Sequence, residues 1–384
     1  MMKIFYVALK VIRKTLLLPL TFLDFLVPKD HALLVFSNRG GKEAWQGNNA
    51  FLYTYLSRVH PEYKVVVLSD KDMDIVNSIR LHSFYGLWCL LRSRVAFFHH
   101  GPLDYDIPLL CKKRLNANLS HAIHFKRVAY TLKDYKPMFF ETKDVIPYHF
   151  CSSDTDVLAA CSYYRIDFGN ARVTGAPKND VFFMDDRVLP KGYSEEKAQL
   201  KEVIGSKKAV MYAPTWREEG KSYIFSSEEI DKLERILLKN NAVMLFAIHP
   251  LLKDYSIPKS SCFFDANAYV SDIQIALSIT DVLITDYSTI WIDFLLKNKP
   301  IIGFWYDIED YMANRGFIFD VKDKFPDSKC IHFSELINEM QKSLSEGWGI
   351  SDKQQCLRSF FHRYDDGCNS SRVIDEIKKI IDAS

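Results

Sequence analysis

Four apolar stretches of the sequence end in polar side chains that can do chemistry. The side chains at these four ends are His99-His100, Thr215-Trp216-Arg217, His249-Pro250 and Asp286-Tyr287-Ser288-Thr289. Histidine can move a proton near neutral pH, and arginine can hold a phosphate through two parallel N–H groups. Serine and threonine hydroxyls can donate hydrogen bonds to phosphoryl oxygens. The residue types therefore indicate proton transfer combined with anion binding.

The most specific predictions concern the third and fourth of these ends, the His249-Pro250 pair and the segment 286–289. His249 can donate to a phosphoryl oxygen or act as an acid or base, but it can equally be a structural histidine whose chain direction Pro250 fixes. Ser288 and Thr289 precede a predicted helix that begins near Ile290. Their hydroxyls and the first-turn N–H groups suit a phosphate, and they equally suit an ordinary N-cap. Asp286 can orient a histidine, bind a ligand hydroxyl or make a turn.

The remaining candidates leave similar alternatives. Arg217 is a candidate phosphate fork, and Trp216 either stacks on a base or closes the core. Residues His99 and His100 alternate across a strand, so at most one readily faces a cleft, and Gly101 leaves room for a ligand. A second helix start, near residue 369, offers two hydroxyls and an arginine as an anion site. Its residues are Ser370, Ser371 and Arg372.

The elements that must position these residues alternate between strand and helix. Strands are predicted for HALLVFSN, YKVVVLSD and RVAFFHHG in the first half, and for AVMYAP, AVMLFAIHP, residues 282–285 and residues 301–304 in the second. Such alternation is typical of open parallel sheets with helices on both faces. Ligands of these sheets lie beyond the carboxyl ends of the strands. The sequence therefore predicts two Rossmann-like halves, with polar strand ends at the binding sites.

Composition excludes several classes of function. The net charge of +2 gives no support for a nucleic-acid partner, and the eight cysteines form no CxxC pair. Neither GxxxxGK[ST] nor GxGxxG occurs, which leaves an ATPase and a dinucleotide enzyme without support. The sequence also lacks HExxH, so we expect no metal and no cofactor. It does not indicate an oligomeric state.

The N-terminal segment has an unusual charge pattern. Lys3, Lys10, Arg13 and Lys14 fall on one arc of a helical wheel, while residues such as Phe5 and Leu9 lie outside it. The apolar run that follows contains Pro19 and is interrupted by Asp24, which argues against a spanning helix. We expect an amphipathic helix on an anionic leaflet. A core-packing helix and a signal peptide are the alternatives.

Five segments together resemble the CDP-glycerol glycerophosphotransferases, the family of teichoic-acid primases and polymerases. They are YAPTWRE, the His-Pro pair, LITDYSTIWIDF, KPIIGFWYDIEDYMANRGFIFD and YDDGCNSSR, and VTGAPKNDVFF is similar to a further family segment with Lys178 replacing arginine. The resemblance implies a GT-B-like fold with two Rossmann-like domains facing a cleft. It also implies peripheral attachment to the inner membrane face and transfer of a polyol phosphate from a CDP-activated donor.

The resemblance also assigns roles to residues. It implies essential roles for His100 and His249, a catalytic aspartate at Asp286, and phosphate contacts at Ser288, Thr289, Ser371 and Arg372. The diphosphate of the donor would be held by these phosphate-contacting residues and His249, together with Thr215, Arg217 and Ser370. Glu309 and Asp310 are expected either to bind ribose or polyol hydroxyls or to cap a helix. Trp216 is a further expected nucleotide contact.

The first half departs from the family pattern. The family's Trp-His-Gly-Thr-Pro-Leu-Lys is replaced by residues 98–104, FHHGPLD, and an Asp-Asn-Pro segment is altered to Gly47-Asn48-Asn49. The donor-side motifs thus match better than the acceptor-side ones. Asp104 or Asp106 could assist His100 as the general base.

Our interpretation divides the chain into four segments and assigns it one reaction. The segments are a membrane-associating part (1–28), an acceptor-side domain (29–184), a donor-binding domain (185–368) and a helix that could cross back (369–384). The predicted enzyme transfers glycerol phosphate, or ribitol phosphate, from CDP-glycerol or CDP-ribitol to a lipid-linked glycan or polyol-phosphate acceptor and releases CMP. The product would be a teichoic-acid-like or capsule polymer. The alternatives are a GT-B glycosyltransferase that uses a nucleotide sugar and an inactive scaffold of an assembly complex.

Overall fold

The computed structural model describes residues 19–73, 77–107, 109–135, 145, 147–217, 222–249, 252, 255–345 and 349–383. The chain divides into two compact units. The first unit contains the described residues of Met1–His121, Val128–Asp180 and Cys368–Ser384. The second unit contains those of Ala122–Arg127 and Val181–Gly367.

The first unit is built on a seven-stranded parallel sheet with strand order β3-β2-β1-β4-β5-β6-β7. Its strands are β1 (Asp30–Asn38), β2 (Lys64–Ser69), β3 (Ser78–Arg80), β4 (Ser93–Phe98), β5 (Leu115–Asn118), β6 (Tyr148–Cys151) and β7 (Ala171–Val173). Its helices are α1 (Gly47–Val59), α2 (Phe84–Arg92), α3 (Asp154–Tyr164) and, at the end of the chain, α11 (Asn369–Asp382).

The central strands of this sheet are apolar on both faces because both faces are covered. Along β1, Leu34 and Phe36 enter one core cluster while Leu33 and Val35 enter another. Helix α11 belongs to the first of these clusters, where Val373 packs with residues of α1. The C-terminal helix therefore contributes to the core of the first unit.

The second unit is built on a six-stranded parallel sheet with strand order β10-β9-β8-β11-β12-β13. Its strands are β8 (Lys208–Ala213), β9 (Ala242–Phe246), β10 (Phe263–Asp265), β11 (Val282–Thr285), β12 (Ile301–Phe304) and β13 (Lys329–Cys330). Its helices are α4 (Tyr193–Ile204), α5 (Ser227–Lys239), α6 (Ile273–Ser278), α7 (Ile290–Phe294), α8 (Ile308–Asn314), α9 (Phe333–Leu344) and α10 (Asp352–Phe361). Two parallel α/β domains, as predicted, are confirmed.

A short segment of the first half of the sequence belongs to the second unit. This crossing segment (Ala122–Arg127) carries the fully buried Phe125, whose ring contacts those of Trp291, Phe317 and Phe361. An isolated antiparallel bridge joins Lys126 to Phe317. Nothing in the sequence pattern indicated this exchange.

The unit boundaries differ slightly from those expected from sequence. The chain passes into the second unit after Asp180 and leaves it after Gly367, so Cys368–Ser384 lies with the first unit. The expected N-terminal helix lies largely outside the described residues. Within them, residues 19–26 are helical. Among the described helices, none combines the length and apolar composition that a membrane span requires.

Asp24, which interrupts the apolar N-terminal run, is an anchor. Its buried carboxylate accepts hydrogen bonds from both terminal nitrogens of Arg114, at 2.7 and 2.6 Å, and from Lys29 at 2.7 Å. A buried carboxylate held by two cations fixes the helical turn against the first unit.

Candidate functional site

The second unit brings three of the predicted strand ends together. Strand β8 lies between β9 and β11, and all run parallel, so their carboxyl ends share one edge of the sheet. Thr215 and Arg217 follow β8, His249 follows β9, and Asp286 follows β11 directly. Pro250, the second half of the His-Pro pair, lies outside the described residues.

Asp286 organises this edge of the sheet. Its buried carboxylate accepts the backbone N–H of Thr215 at 2.8 and 3.0 Å and the Thr215 hydroxyl at 2.6 Å. It also accepts a guanidinium N–H of Arg217 at 2.8 Å and the backbone N–H groups of Tyr287 and Ser288 at 2.5 and 3.2 Å. These contacts tie the loop after β8 to the turn after β11. They favour a positioning role for Asp286 over contact with a substrate.

Arg217 forms ion pairs with two carboxylates of the protein. Its Nε donates to Asp307 at 2.8 Å, and one terminal nitrogen donates to both Asp307 and Asp286 at 3.0 and 2.8 Å. Burial disfavours the guanidinium charge, but the hydrogen bond to Asp307 and the charge of Asp286 outweigh it and raise the pKa of Arg217. The fork predicted for a phosphate is therefore occupied by Asp286 and Asp307. Its single positive charge is shared by these two carboxylates.

The acidic residue that enters this site is Asp307, which sequence reasoning missed. Glu309 and Asp310 lie exposed in the first turn of α8, whereas Asp307 accepts from Arg217 and from the hydroxyl of Tyr287 at 3.1 Å. The segment YDIEDY did contain the signal. Asp307 is the first of its acidic residues and comes nearest to the end of β12.

The hydroxyls after β11 are arranged differently from a standard N-cap. Thr289 occupies the N-cap position of the five-residue helix α7, and its side chain makes no cap hydrogen bond. Asp286 instead accepts the nearby N–H of Ser288. The N-cap alternative is not realised for Thr289, and ligand binding by Ser288 and Thr289 stays a prediction.

His249 is accessible beside an aromatic side chain. The centroid of its ring lies 6.3 Å from that of Trp216, with the two planes tilted by 33°. Partial desolvation of the ring and the charge of Lys126 both lower the pKa of His249. The neutral imidazole therefore predominates at pH 7, where its N–H can donate to an anionic oxygen.

His99 and His100 lie just beyond β4, which ends at Phe98, and not within the strand as predicted; His99 is half-buried and His100 is exposed. Backbone N–H groups of both residues donate to Asp104 Oδ2, at 3.0 and 3.1 Å. The side chain of His100 is 66% exposed, its Nδ1 lies 3.9 Å from Asp104 Oδ1, and its ring stacks on His121 at 5.4 Å. Asp104, which departs from the family motif, thus holds the histidine turn. Asp106 instead pairs with Arg39 at 2.7 Å.

His99 is the less exposed member of this pair, and its titration predicts a pH effect. Its Nε2 accepts the backbone N–H of Asn49 at 3.1 Å. Desolvation, followed by the charges of His100, His121 and Lys178, lowers the pKa of His99 to about 3. The folded pKa of His99 lies below the unfolded value of 6.5, so the folded state favours the neutral ring. The stability that this preference contributes is present above pH 6.5 and is lost as the pH falls towards 3.

We expect the depressed pKa of His99 to lower the free energy of unfolding by about 2–3 kcal/mol between pH 7 and pH 4.5. Urea unfolding of the wild type and of His99→Gln, which keeps an acceptor for the N–H of Asn49, measures this loss. The difference in the free energy of unfolding between the two proteins should change as the pH falls from 7 to 4.5. The exposed His31→Gln is the matched control and should follow the wild type. Parallel pH curves for the wild type and His99→Gln would contradict the assignment.

The predicted anion site at the start of α11 already holds a carboxylate of the protein. Asp180 accepts the backbone N–H groups of Asn369 and Ser370, both at 2.9 Å, and the Ser370 hydroxyl at 2.7 Å. Burial raises the pKa of Asp180 to about 7 against these donors. At Gly175, φ is +81°, and a Cβ there would lie 2.0 Å from Asn369 Oδ1.

The helix start thus recognises Asp180 within the first unit, which corrects the phosphate role predicted for Ser370. Arg372 donates to Asn369 Oδ1 at 3.0 Å. Ser371 and Arg372 are half-buried, and their predicted phosphate contacts stay predictions.

The two parallel α/β units define a GT-B-like fold, which comparison with solved structures supports. The Wall Teichoic Acid Polymerase TagF superposes with a TM-score of 0.79 at 20% identity, covering 100% of this chain and 96% of the other. The sequence profile of the family "CDP-Glycerol:Poly(glycerophosphate) glycerophosphotransferase" matches residues 20–379. The chain belongs to this family.

Curated relatives agree with the family match. A teichoic acid poly(ribitol-phosphate) polymerase of Bacillus spizizenii is 33% identical over 221 residues, which cover 56% of this chain and 34% of the relative. A teichoic acid poly(glycerol phosphate) polymerase of the same species is 24% identical over 388 residues, covering 92% and 93%. The chain spans only 34–44% of the length of three matched ribitol-phosphate polymerases.

Proposed function

We propose that the chain transfers a polyol phosphate from a CDP-activated donor to a hydroxyl of a lipid-linked glycan or polyol-phosphate acceptor, releasing CMP. CDP-glycerol is the first candidate donor and CDP-ribitol the second, for a teichoic-acid-like or capsule polymer. The family match over residues 20–379 carries this proposal. The second unit supports it with a histidine, a threonine and an aspartate that converge on one edge of its sheet.

In the proposed reaction an acceptor oxygen attacks the phosphorus that bears the polyol. The new P–O bond forms as the bond to CMP breaks, and the hydroxyl proton passes to His100. Because Nδ1 of His100 faces Asp104, the opposite ring nitrogen, Nε2, is the one placed to accept this proton. Asp104 holds the histidine turn through two backbone N–H groups. Asp104 is therefore a positioning residue.

The donor's diphosphate meets hydrogen-bond donors of the second unit. We assign contacts to His249, Ser288 and Thr289, with Thr215 beside them. Arg217 acts indirectly, since its guanidinium bridges Asp286 and Asp307 and so fixes the loop that carries Thr215. Trp216, next to His249, is available for stacking on the cytosine. Fixed donors of this kind stabilise charge that develops on the leaving CMP.

The test of this function is the nucleotide that the protein releases. Purified protein with a lipid-linked acceptor receives CDP-glycerol, CDP-ribitol or nucleotide sugars in separate reactions. CMP from a CDP-polyol is the expected product. A nucleoside diphosphate from a sugar donor would instead identify a glycosyltransferase. Donor binding without turnover on any acceptor would identify an inactive scaffold, the alternative that the altered HHGPLD motif suggests.

We also propose that the chain lies on the cytoplasmic face of the cell membrane as a peripheral protein. The first unit exposes apolar side chains on residues 19–26, Phe22 and Leu26 among them, and on α2, where Phe84 and Trp88 are exposed. Arg92 lies 5.9 Å from the Trp88 ring. Aromatic rings next to a cation suit the interface of an anionic leaflet.

Replacing Phe84 and Trp88 together by serine is expected to weaken binding to anionic vesicles about tenfold, because two rings leave the interface. Co-sedimentation with phosphatidylserine vesicles measures the loss. Phe168→Ser, at another exposed phenylalanine of the first unit, is the matched control. Unchanged sedimentation of the double variant would argue against α2 as the contact surface.

A further inference from the structure

The crossing segment places one lysine in the donor-side site of the second unit. Its backbone is held by hydrogen bonds from Ile318 N to Phe125 O at 3.1 Å and from Arg127 N to Gly316 O at 3.2 Å. Lys126 follows the buried Phe125 and itself forms the antiparallel bridge to Phe317, so its backbone has little freedom.

Lys126 points to the same groups that the strand ends bring together. Its Nζ lies 3.5 Å from the Thr215 hydroxyl and 5.8 Å from the centroid of the Tyr311 ring. The charged and titratable side chains that face it lie after β8, β9 and β11 and in or just after α8, and they are Arg217, His249, Asp286, Tyr311 and Arg315. Since Arg217 is bound to Asp286 and Asp307, Lys126 is the cation placed next to both Thr215 and His249.

We propose that Lys126 binds a phosphoryl oxygen of the donor's diphosphate next to His249. This role rests on the proposed function and adds a residue that lies far from the donor-side motifs in sequence. The ammonium would hold the negative charge that CMP acquires as the P–O bond breaks. A lysine suits this task because its three donors can follow a changing oxygen position.

The protonation of Lys126 agrees with a site built for an anion. Burial lowers the pKa of Lys126 to about 8, with Asp286 opposing the shift and Arg315 and Arg217 adding to it. A bound diphosphate favours the charged ammonium and raises this pKa again. Donor binding is therefore coupled to proton uptake, which is larger at pH 8.5, above this pKa, than at pH 7, below it.

Isothermal titration calorimetry in buffers of different ionisation enthalpy tests this proposal. The full chain is titrated at pH 7 and pH 8.5 with CDP-glycerol, CDP-ribitol and inorganic pyrophosphate. Lys126→Met is expected to raise the Kd of the bound ligand about 10- to 100-fold and to abolish proton uptake. Lys126→Arg should keep the Kd within about tenfold and still abolish uptake, since arginine does not titrate. Lys239→Met, an exposed lysine of the same unit, is the control.

The outcomes separate this proposal from the proposed function. Unchanged Kd and proton uptake in folded Lys126→Met, with the fold checked by circular dichroism, would overturn the role of Lys126 and leave the function standing. Pyrophosphate binding that depends on Lys126, without binding of either CDP-polyol, would overturn the function and retain the anion site. A wild type that binds none of the three ligands would overturn both.

Discussion

Replacing Asp286 by alanine is expected to lower the free energy of unfolding by about 3–5 kcal/mol. The carboxylate is buried and accepts from Thr215, Arg217, Tyr287 and Ser288. Its removal leaves Arg217 with Asp307 alone and leaves buried N–H groups without their acceptor. Urea denaturation at pH 7.5 measures the loss.

The control for this variant is an aspartate next to the same strand. Asp281, just before β11, pairs with Lys299 at 3.4 Å on the surface, where such pairs contribute about 0–1 kcal/mol, and it accepts the backbone N–H of Ala209 at 3.0 Å. Asp281→Ala should therefore cost about 1 kcal/mol, well below the loss expected for Asp286→Ala. If Asp286→Ala unfolds like the wild type and yet has no activity, Asp286 contacts the reacting groups, and the positioning role is wrong.

The second large effect is expected in catalysis without a loss of stability. His249→Ala should lower kcat for CMP release about 100- to 1,000-fold, on the order of 3 kcal/mol in the barrier, because one donor to the departing diphosphate is lost. The side chain is exposed and holds no part of the core. Thermal unfolding should therefore stay within about 0.5 kcal/mol of the wild type.

Initial rates of CMP release over a range of donor concentrations separate kcat from KM for this variant. His332→Ala serves as a matched histidine control, since His332 is exposed and belongs to the same unit. A variant that loses only donor affinity, with kcat retained, would show that His249 binds the ground state and does not act in the transition state.

The position of the site could be predicted from the sequence because it follows from the topology of a parallel sheet. Polar residues after β8, β9 and β11 had to meet once those strands were adjacent, and the structure places them in that order. Predictions of this kind depend on neighbours in sequence or on strand order.

The partners of individual side chains could not be predicted, since they lie far apart along the chain. Arg217 meets Asp286 across 69 residues and Asp307 across 90. Ser370 meets Asp180 across 190 residues, so a helix start that resembles an anion site is satisfied by the protein itself. A motif shows which groups are present at a helix start, whereas packing decides what occupies it.

Lys126 illustrates the same limit most clearly. It belongs to a crossing segment whose hydrogen bonds reach Gly316 and Ile318, nearly 200 residues away. Its neighbours in sequence carry no phosphate-binding motif, and the hydrogen bonds and the antiparallel bridge of the crossing segment bring it to the site. The resemblance to a family indicated the donor-side residues of the second half, but it did not extend to this one.

The central claim is that phosphorus travels with the polyol, and a doubly labelled donor tests it most directly. CDP-glycerol carrying ³²P at the phosphorus next to glycerol and ¹⁴C in the glycerol is incubated with protein and acceptor. The two labels should enter the product in equal molar amounts, with unlabelled CMP released in the same amount. Glycerol label in the product without ³²P, or ³²P retained on the released nucleotide, would contradict polyol-phosphate transfer.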